Sequence, residues 1–509
     1  MNNKKYALIS VYDKTGVVEL AKVLIRKKYT IISTGKTLAH LEKHSIPAVP
    51  VDVFTKNPES FDGRMKTISF TLESGILFDR KNKRHVEESI KFSVPKIDFV
   101  VCNFYPFWVK PGIDMIDIGG PTMVRAAAKN YKNVTVLVSP LDYNKVQNEL
   151  EKKGVTSLRI RHILSATAFS YVAQYDGLIS NYFQHDISGS DNILSLHNGQ
   201  KLRYGENPHQ NGLYFQEYND TDPLSLSQFT KLSGKEMSFN NYLDLDAGLL
   251  AVSLIGEKKP SCVVIKHTNP CGASTSNTIE SAFLNAWYKG DPLAAFGGII
   301  VLNRHVTKKL AGIMLADNKF FEIVAAPSFD VEAIRLLKQK KNLRILQNSA
   351  LQKPFLSPYL DFKRIRGGYL VQDFDTKRLQ KGTLQIVTKK KPTKQQLFDL
   401  FFAWAIAQMS KSNCVVIVKN GTLLASGTGQ QDRKRCCILC ISKAGQSIKN
   451  AVAATDGFFP FRDGPDILIE AGISAIIQPG GSIRDKESIQ ACDEKSVVMI
   501  TTGIRSFKH

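Results

Sequence analysis

The chain lacks any unbroken apolar run long enough to cross a bilayer, so no membrane span is expected. It also lacks the apolar core of a secretory signal. Met1-Asn2-Asn3-Lys4-Lys5-Tyr6 leads straight into a strand-like stretch, and a cytoplasmic location is expected. Cysteine is scarce, with 8 in 509 residues, which excludes a disulfide framework and predicts reduced thiols. Cys436, Cys437 and Cys440 cluster, but zinc takes four ligands in paired spacings and no second Cys/His pair stands nearby. No metal is expected there. Acidic residues are few beside basic ones, 46 against 68, and the formal net charge is +22. That surplus admits nucleic acid as a partner. The basic runs, such as Arg80-Lys81-Asn82-Lys83-Arg84 and Lys389-Lys390-Lys391, carry no interleaved aromatics and read as solvated faces or loops.

What is present describes a globular chain, 43% hydrophobic and 22% charged. Its length suggests roughly two to four domains. Tyr6 to Val11 is strand-like, Val17 to Lys27 has helical spacing, and Thr30 to Ser33 is a second strand before another helix. Ile97 to Cys102 and Val134 to Val138 add strands, and Thr122 to Asn130 should be a helix. Strands alternating with helices predict a parallel α/β sheet, whose ligands bind outside the carboxyl ends of strands. At two such ends Ser10, Lys14, Ser33, Thr34 and Gly35 offer hydroxyls, a cation and open backbone N–H groups. Ordinary N-capping explains one such turn equally well. Two in one domain favour phosphate. Asp186 to Gly199 is polar and reads as a linker.

Cys262 to Ile265 reads as a buried strand that delivers Lys266 and His267 to its carboxyl end. Thr268-Asn269-Pro270-Cys271-Gly272 is then expected to break the strand. Imidazole titrates near neutrality, and an adjacent ammonium favours its basic form, so the pair suits proton transfer. Two solvated strand-end residues are the plainer alternative.

Val263 to Gly272 resembles the hallmark of a bifunctional purine-biosynthesis family. That family joins aminoimidazole carboxamide ribonucleotide (AICAR) formyltransferase to inosine monophosphate (IMP) cyclohydrolase. Further matches are Leu202-Arg203-Tyr204-Gly205-Glu206-Asn207-Pro208-His209-Gln210, Phe239 to Ala247, Asp291 to Gly298, Phe321 to Pro327, and Gln478-Pro479-Gly480-Gly481-Ser482. The resemblance runs from about Tyr6 to His509. It implies a methylglyoxal-synthase-like (Rossmann-like) α/β domain over 1–185, a linker over 186–199, and two cytidine-deaminase-like α/β units over 200–385 and 386–509. It implies a homodimer, AICAR, formyl-AICAR and IMP as ligands, 10-formyltetrahydrofolate as co-substrate, and neither membrane nor specific nucleic acid as partner. The zinc deaminase signature is missing, because Pro270-Cys271 has no second Cys at the needed spacing, and no metal is implied.

For the cyclohydrolase half the resemblance implies Lys66, Tyr105, Asp117 and Lys129 as catalytic groups. Ser10, Lys14, Thr34, Arg64, Thr67 and Asn103 would surround the nucleotide. Which catalytic group is acid and which is base stays open. This half departs from the family pattern. Tyr12 stands for Ser and Lys36 for Gly. Ile68-Ser69-Phe70-Thr71-Leu72-Glu73-Ser74 replaces Leu-His-Pro-Lys-Val-His-Gly, and the segment between Phe107 and Ile116 is short. For formyl transfer His267 fits the general base, and Lys266 fits a stabiliser of the developing oxyanion or a donor to the departing folate nitrogen. Arg203, with its fixed fork of donors, suits the nucleotide phosphate or another anionic oxygen. Tyr204, Gly297, Glu322 and Asn413 would shape the nucleotide pocket. Phe458 could face a flat ring, with Arg505 beside the nucleotide. Arg433, Asp463, Gly480 and Gly481 would contact folate, near Asp432, where the family has Ser. Two other readings stay open. One is a formyltransferase with an impaired cyclohydrolase half. The other is a non-catalytic nucleotide- or RNA-binding protein, whose RNA affinity would fall steeply with salt.

Overall fold

The computed structural model describes residues 4–184, 194, 196–217 and 220–509. The chain forms two compact units, Met1–His197 with Glu217–Asn219, and Asn198–Gln216 with Asp220–His509. Most of the linker expected over 186–199 lies outside the described residues. Among the described residues no helix is long and apolar enough to cross a membrane.

The first unit follows the alternation read from the sequence. Its elements run β1 (Lys5–Val11), α1 (Val17–Arg26), β2 (Tyr29–Ser33), α2 (Gly35–Lys43), β3 (Ala48–Pro50), α3 (Val51–Thr55), α4 (Phe70–Leu77), α5 (Lys83–Lys91), β4 (Ile97–Asn103), α6 (Gly119–Lys129), β5 (Thr135–Leu137), α7 (Tyr143–Lys153) and α8 (Leu158–Gln184). Its five strands pair in parallel in the order β3-β2-β1-β4-β5. Val17, Leu20, Ala21 and Leu24 of α1 are buried at helical spacing. Ala7, Leu8 and Ile9 of β1 are buried in succession, because helices cover both faces of a parallel sheet.

The second unit begins with β6 (Leu196–Lys201), β7 (Leu213–Glu217) and β8 (Thr230–Ser233). Then come α9 (Phe239–Ile255), β9 (Ser261–Lys266), β10 (Asn269–Thr275), α10 (Ile279–Lys289), α11 (Pro292–Ala295), β11 (Gly298–Leu302), α12 (Lys308–Leu315), β12 (Phe321–Ala326), α13 (Val331–Leu337) and β13 (Arg344–Gln347). After β14 (Leu360–Ile365), β15 (Gly368–Asp373) and β16 (Gln385–Ile386) the pattern repeats. It runs α14 (Lys394–Met409), β17 (Val415–Lys419), β18 (Thr422–Gly427), α15 (Arg433–Ala444), β19 (Val452–Thr455), α16 (Asp463–Glu470), β20 (Ala475–Gln478), α17 (Asp485–Glu494) and β21 (Val498–Thr501).

The main sheet reads β16-β21-β20-β19-β17-β18-β10-β9-β11-β12-β13-β8. Each half therefore has the same order about a central joint. There Ser274 of β10 pairs Thr422 of β18, and their hydroxyls lie 2.9 Å apart. Successive side chains of a strand point to opposite faces. Val263 and Ile265 accordingly pack with α9 and α14, while Cys262 and Val264 pack with α10 and α12. Helices α15, α16 and α17 cover the corresponding face of the other half.

One local expectation is corrected. Strand β9 does end, at Lys266, but the break is only two residues long and Asn269 to Gly272 is strand again. The chain reverses at His267–Thr268, both with positive φ (51° and 62°), and Asn269 onward is strand. Pro270 and Gly272 pair Ile265 and Val264, so Cys271 is the extra residue of a bulge. Proline and glycine bend this strand instead of ending it.

Candidate active sites

In the first unit the connection after β1 runs to β2 and that after β4 runs to β5 on the opposite side, which puts the crevice at the carboxyl ends of β1 and β4. Ser10 Oγ lies 2.9 Å from Thr34 Oγ1, the residue before α2. Ser33 is buried, and its hydroxyl donates to the Ile9 carbonyl at 2.8 Å. Lys14 Nζ donates to the Tyr12 carbonyl at 3.1 Å. Asn103 Oδ1 accepts the N–H groups of Tyr12 and Asp13 at 2.7 and 2.8 Å, and Nδ2 donates to the Asp13 carbonyl at 3.1 Å. Its amide thereby fixes the turn after β1.

Gly35 leaves space for Lys66, since a Cβ there would stand 2.9 Å from Lys66 Nζ. That ammonium also pairs Glu59 at 2.7 Å. Thr67 is buried against Gly119, where a Cβ would meet its hydroxyl at 2.2 Å. Asp117 Oδ1 accepts the Gly120 N–H at 2.8 Å, yet burial holds its carboxyl above the usual range. Tyr105 is raised by burial, then by the nearby charges of Asp117, Cys102 and Glu59. Glu59 thus touches Lys66 and acts on Tyr105, so Lys66, Tyr105 and Asp117 share one neighbourhood. Arg64 is exposed and pairs Asp114 at 3.1 Å. Lys129 is not brought to them within the chain. It is the exposed last residue of α6, about 15 Å of helix away from the Asp117 end.

In the second unit Lys266 ends β9 and donates to the Phe296 carbonyl at 3.0 Å. Gly297, with φ 75°, lies under the ammonium, and a Cβ there would stand 2.9 Å from Nζ. His267 is exposed on the turn. Asn269 links this turn to the other half of the sheet. Its Nδ2 donates to the His267 carbonyl at 3.0 Å, and its Oδ1 accepts the Lys411 N–H at 3.1 Å. Asn413, two residues on, donates from Nδ2 to the Gln430 carbonyl at 2.9 Å and accepts from Arg433 at 2.6 Å. Glu322 accepts from Asn241 at 2.9 Å and from Arg344 at 3.4 Å. The charges of Arg203 and Tyr204 both act on Arg344, so the two stand nearby, with the Arg203 guanidinium 5.1 Å from the centre of the Tyr204 ring.

Arg433 is buried and pairs the fully buried Asp456 at 2.6 Å. Phe458 and Arg505 are exposed, and Arg505 lies over Phe507 at 4.5 Å. Asp463 opens α16, 3.6 Å from Lys434. Gly480 and Gly481 follow β20 with φ of 76° and 96°. Cys436 and Cys440 are buried in α15 with their thiols on backbone carbonyls. Burial pushes the Cys436 and Cys437 thiols up to about 12.

Four supporting residues escaped the sequence reading. Asp244 accepts the Thr268 N–H at 2.6 Å. Asp456 accepts from Arg433, from the Cys414 N–H at 3.0 Å and from the Ser412 hydroxyl. Tyr171 and Tyr175, one turn apart on α8, accept the N–H groups of Phe104 and Asp117 at 3.1 and 2.7 Å. Helical aromatic spacing could have flagged the tyrosines, but it reads first as core. Asp244 stands within the family-like stretch Phe239 to Ala247, but neither its spacing nor that of Asp456 assigns a role.

Across the two α/β units, turns at or near strand ends and helix starts carry lysines, an imidazole, a phenol and a raised carboxyl, groups of the kind acid–base enzymes use. A family model described as "AICARFT/IMPCHase bienzyme" matches residues 127–443, and one described as "MGS-like domain" matches residues 16–122. "Bifunctional purine biosynthesis protein PurH" of Aquifex aeolicus (strain VF5) is 44% identical over 520 residues, covering 99% of this chain and 100% of its own. The protein of that name from Caldicellulosiruptor bescii is 42% identical over 520 residues with the same coverage. A solved chain described as "Crystal structure of ForH" is 28% identical, covers 37% of this chain and 100% of its own, and has a TM-score of 0.34. The chain belongs to the AICARFT/IMPCHase bienzyme family.

Proposed function

We propose that the chain transfers the formyl group of 10-formyltetrahydrofolate to AICAR and then closes formyl-AICAR to IMP with loss of water. Full-length family membership together with Lys266 and His267 at one turn, beside Gly297, carries this reading. The 5-amino group of AICAR is a poor nucleophile, because its lone pair is delocalised into the imidazole. It must lose a proton as it attacks the formyl carbon. Exposed His267 takes that proton, and Lys266 meets the oxyanion or the departing folate nitrogen. Arg203, Tyr204, Glu322 and Asn413 hold the nucleotide. Phe458 and Arg505 stand on the nucleotide side and Asp463, Gly480 and Gly481 on the folate side, with Arg433 bonded to Asn413.

Ring closure needs positioning and proton movement. Lys66, Tyr105 and Asp117 supply these, with Ser10, Lys14 and Thr34 at the phosphate. Lys129 is kept in the proposal on the family pattern alone. The domain division over 1–185, 200–385 and 386–509, a homodimer and a cytoplasmic location complete the reading.

The test is a coupled assay of the full chain with AICAR and 10-formyltetrahydrofolate, following tetrahydrofolate and IMP. Both should appear, His267→Ala should abolish both, and Lys66→Ala should abolish IMP alone. A normal IMP rate in Lys66→Ala would sink the cyclohydrolase assignment. Formyl-AICAR accumulating without IMP in the parent would favour the impaired half, which the replaced 68–74 segment motivates.

A further inference from the structure

The two halves of the second unit contain the same device twice. In the first half the β9–β10 hairpin turns at His267–Thr268, and in the second the β17–β18 hairpin turns at Asn420–Gly421. All four residues have positive φ, between 50° and 66°. A two-residue hairpin of this kind requires that conformation at both central positions, and Asn-Gly is its preferred sequence. His-Thr is not, since a β-branched threonine is disfavoured in the left-handed region.

Each turn is held by an aspartate at the sixth position of the preceding helix, Asp244 of α9 and Asp399 of α14. Asp399 accepts the N–H groups of Asn420 and Gly421 at 2.9 and 2.7 Å. Asp244 accepts the Thr268 N–H at 2.6 Å, and the charge and backbone of His267 lie close enough to favour its ionised form. Each helix opens with a capping box, Ser238 with Asn241 and Thr393 with Gln396, so both aspartates ride on well-fixed helix starts. The second hairpin has a sequence that folds this way unaided. The first carries a functional histidine and a strained threonine, and depends on its aspartate.

We infer that Asp244 is a positioning residue for formyl transfer, fixing His267 through the backbone of a turn that its own sequence disfavours. Burial raises the Asp244 carboxyl, while the bond to Thr268 and the charges of His267 and Lys266 oppose that rise. The His267 carbonyl is also held, by the Asn269 amide at 3.0 Å and the Thr268 hydroxyl at 2.7 Å, and Lys266 and the Lys411 backbone stand beside the turn. None of these groups bonds the Thr268 N–H, which Asp244 holds. This assignment rests on the formyl-transfer reading above.

The repeat supplies its own control. Steady-state formyl transfer by the full chain is measured in Asp244→Asn, Asp399→Asn and Asp244→Asn/Thr268→Gly, with thermal melting recorded for each. An amide oxygen is a weaker acceptor than a carboxylate oxygen, and the amide nitrogen cannot accept at all. Asp244→Asn should lower kcat roughly ten- to a hundred-fold, as a small displacement of a catalytic group does, with KM for AICAR changed less than about threefold. Asp399→Asn should lose comparable thermal stability and keep kcat within about twofold. Adding Thr268→Gly should return part of the lost kcat, because glycine adopts positive φ without strain. Equal kcat losses in the two single variants, or full kcat in Asp244→Asn, would overturn the assignment. Should Asp244→Asn not fold, Asp244→Glu displaces the same carboxylate by one methylene and gives the same comparison. The parent and His267→Ala are assayed first. A parent that releases no tetrahydrofolate refutes the formyl-transfer reading, whereas an active parent indifferent to Asp244 refutes only the inference.

Discussion

Glu73 lies on α4, in the segment that departs from the family pattern. Its Oε1 is enclosed without a hydrogen-bond partner. Burial alone pushes its carboxyl from an ordinary 4.5 up to about 7. Between those values the folded chain keeps a proton that the unfolded chain has released. Stability therefore falls as pH rises from 4.5 to about 7, and above that window the full penalty stays in place. A displacement of that size is worth roughly 3 kcal/mol at its limit. The side chain is only partly enclosed, so solvent screens it, and about 1–2 kcal/mol is the expected penalty. Glu73→Gln removes it. The variant should melt higher than the parent at pH 8, by roughly 2–8 °C for a unit of this size, and match it at pH 5. Scanning calorimetry of the full chain at pH 5, 6.5 and 8 measures this on the first unit's transition. A variant that melts no higher at pH 8, or gains as much at pH 5, refutes the reasoning. The first result would mean that the carboxylate finds a partner, the second that the gain is not ionic.

Two further outcomes test the sites. The Tyr175 hydroxyl accepts the Asp117 N–H at 2.7 Å and donates to the Met115 carbonyl at 3.0 Å. Tyr175→Phe should therefore slow ring closure of supplied formyl-AICAR roughly tenfold. Formyl transfer assayed on the same preparation should stay within about twofold. Gly297→Ala places a methyl 2.9 Å from Lys266 Nζ on a backbone with φ 75°. The flexible lysine yields, so the fold should survive a loss of about 1 kcal/mol, while formyl transfer falls by an order of magnitude or more. Unchanged tetrahydrofolate release in that variant would remove Lys266 from the reaction.

The strands were readable because apolar, β-branched runs end abruptly in polar residues, as Ile265 gives way to Lys266 and Cys102 to Asn103. The reversal at His267–Thr268 was not, because its cause lies elsewhere in the chain. Local preference argues against positive φ at a β-branched Thr, and Asp244 of α9 holds the Thr268 N–H there. The resemblance implied Arg433 as a folate contact, but it is buried in an ion pair with Asp456. Serines at strand ends show the limit most directly. Ser10 and Ser33 occupy like places at the ends of adjacent parallel strands. The Ser33 hydroxyl donates to a backbone carbonyl of β1, while that of Ser10 faces Thr34 over the crevice. One hydroxyl can satisfy the backbone or meet a ligand with the same atoms. Only the neighbouring strand decides which, so phosphate at such turns had to be argued from two strands together and could not be read from either alone.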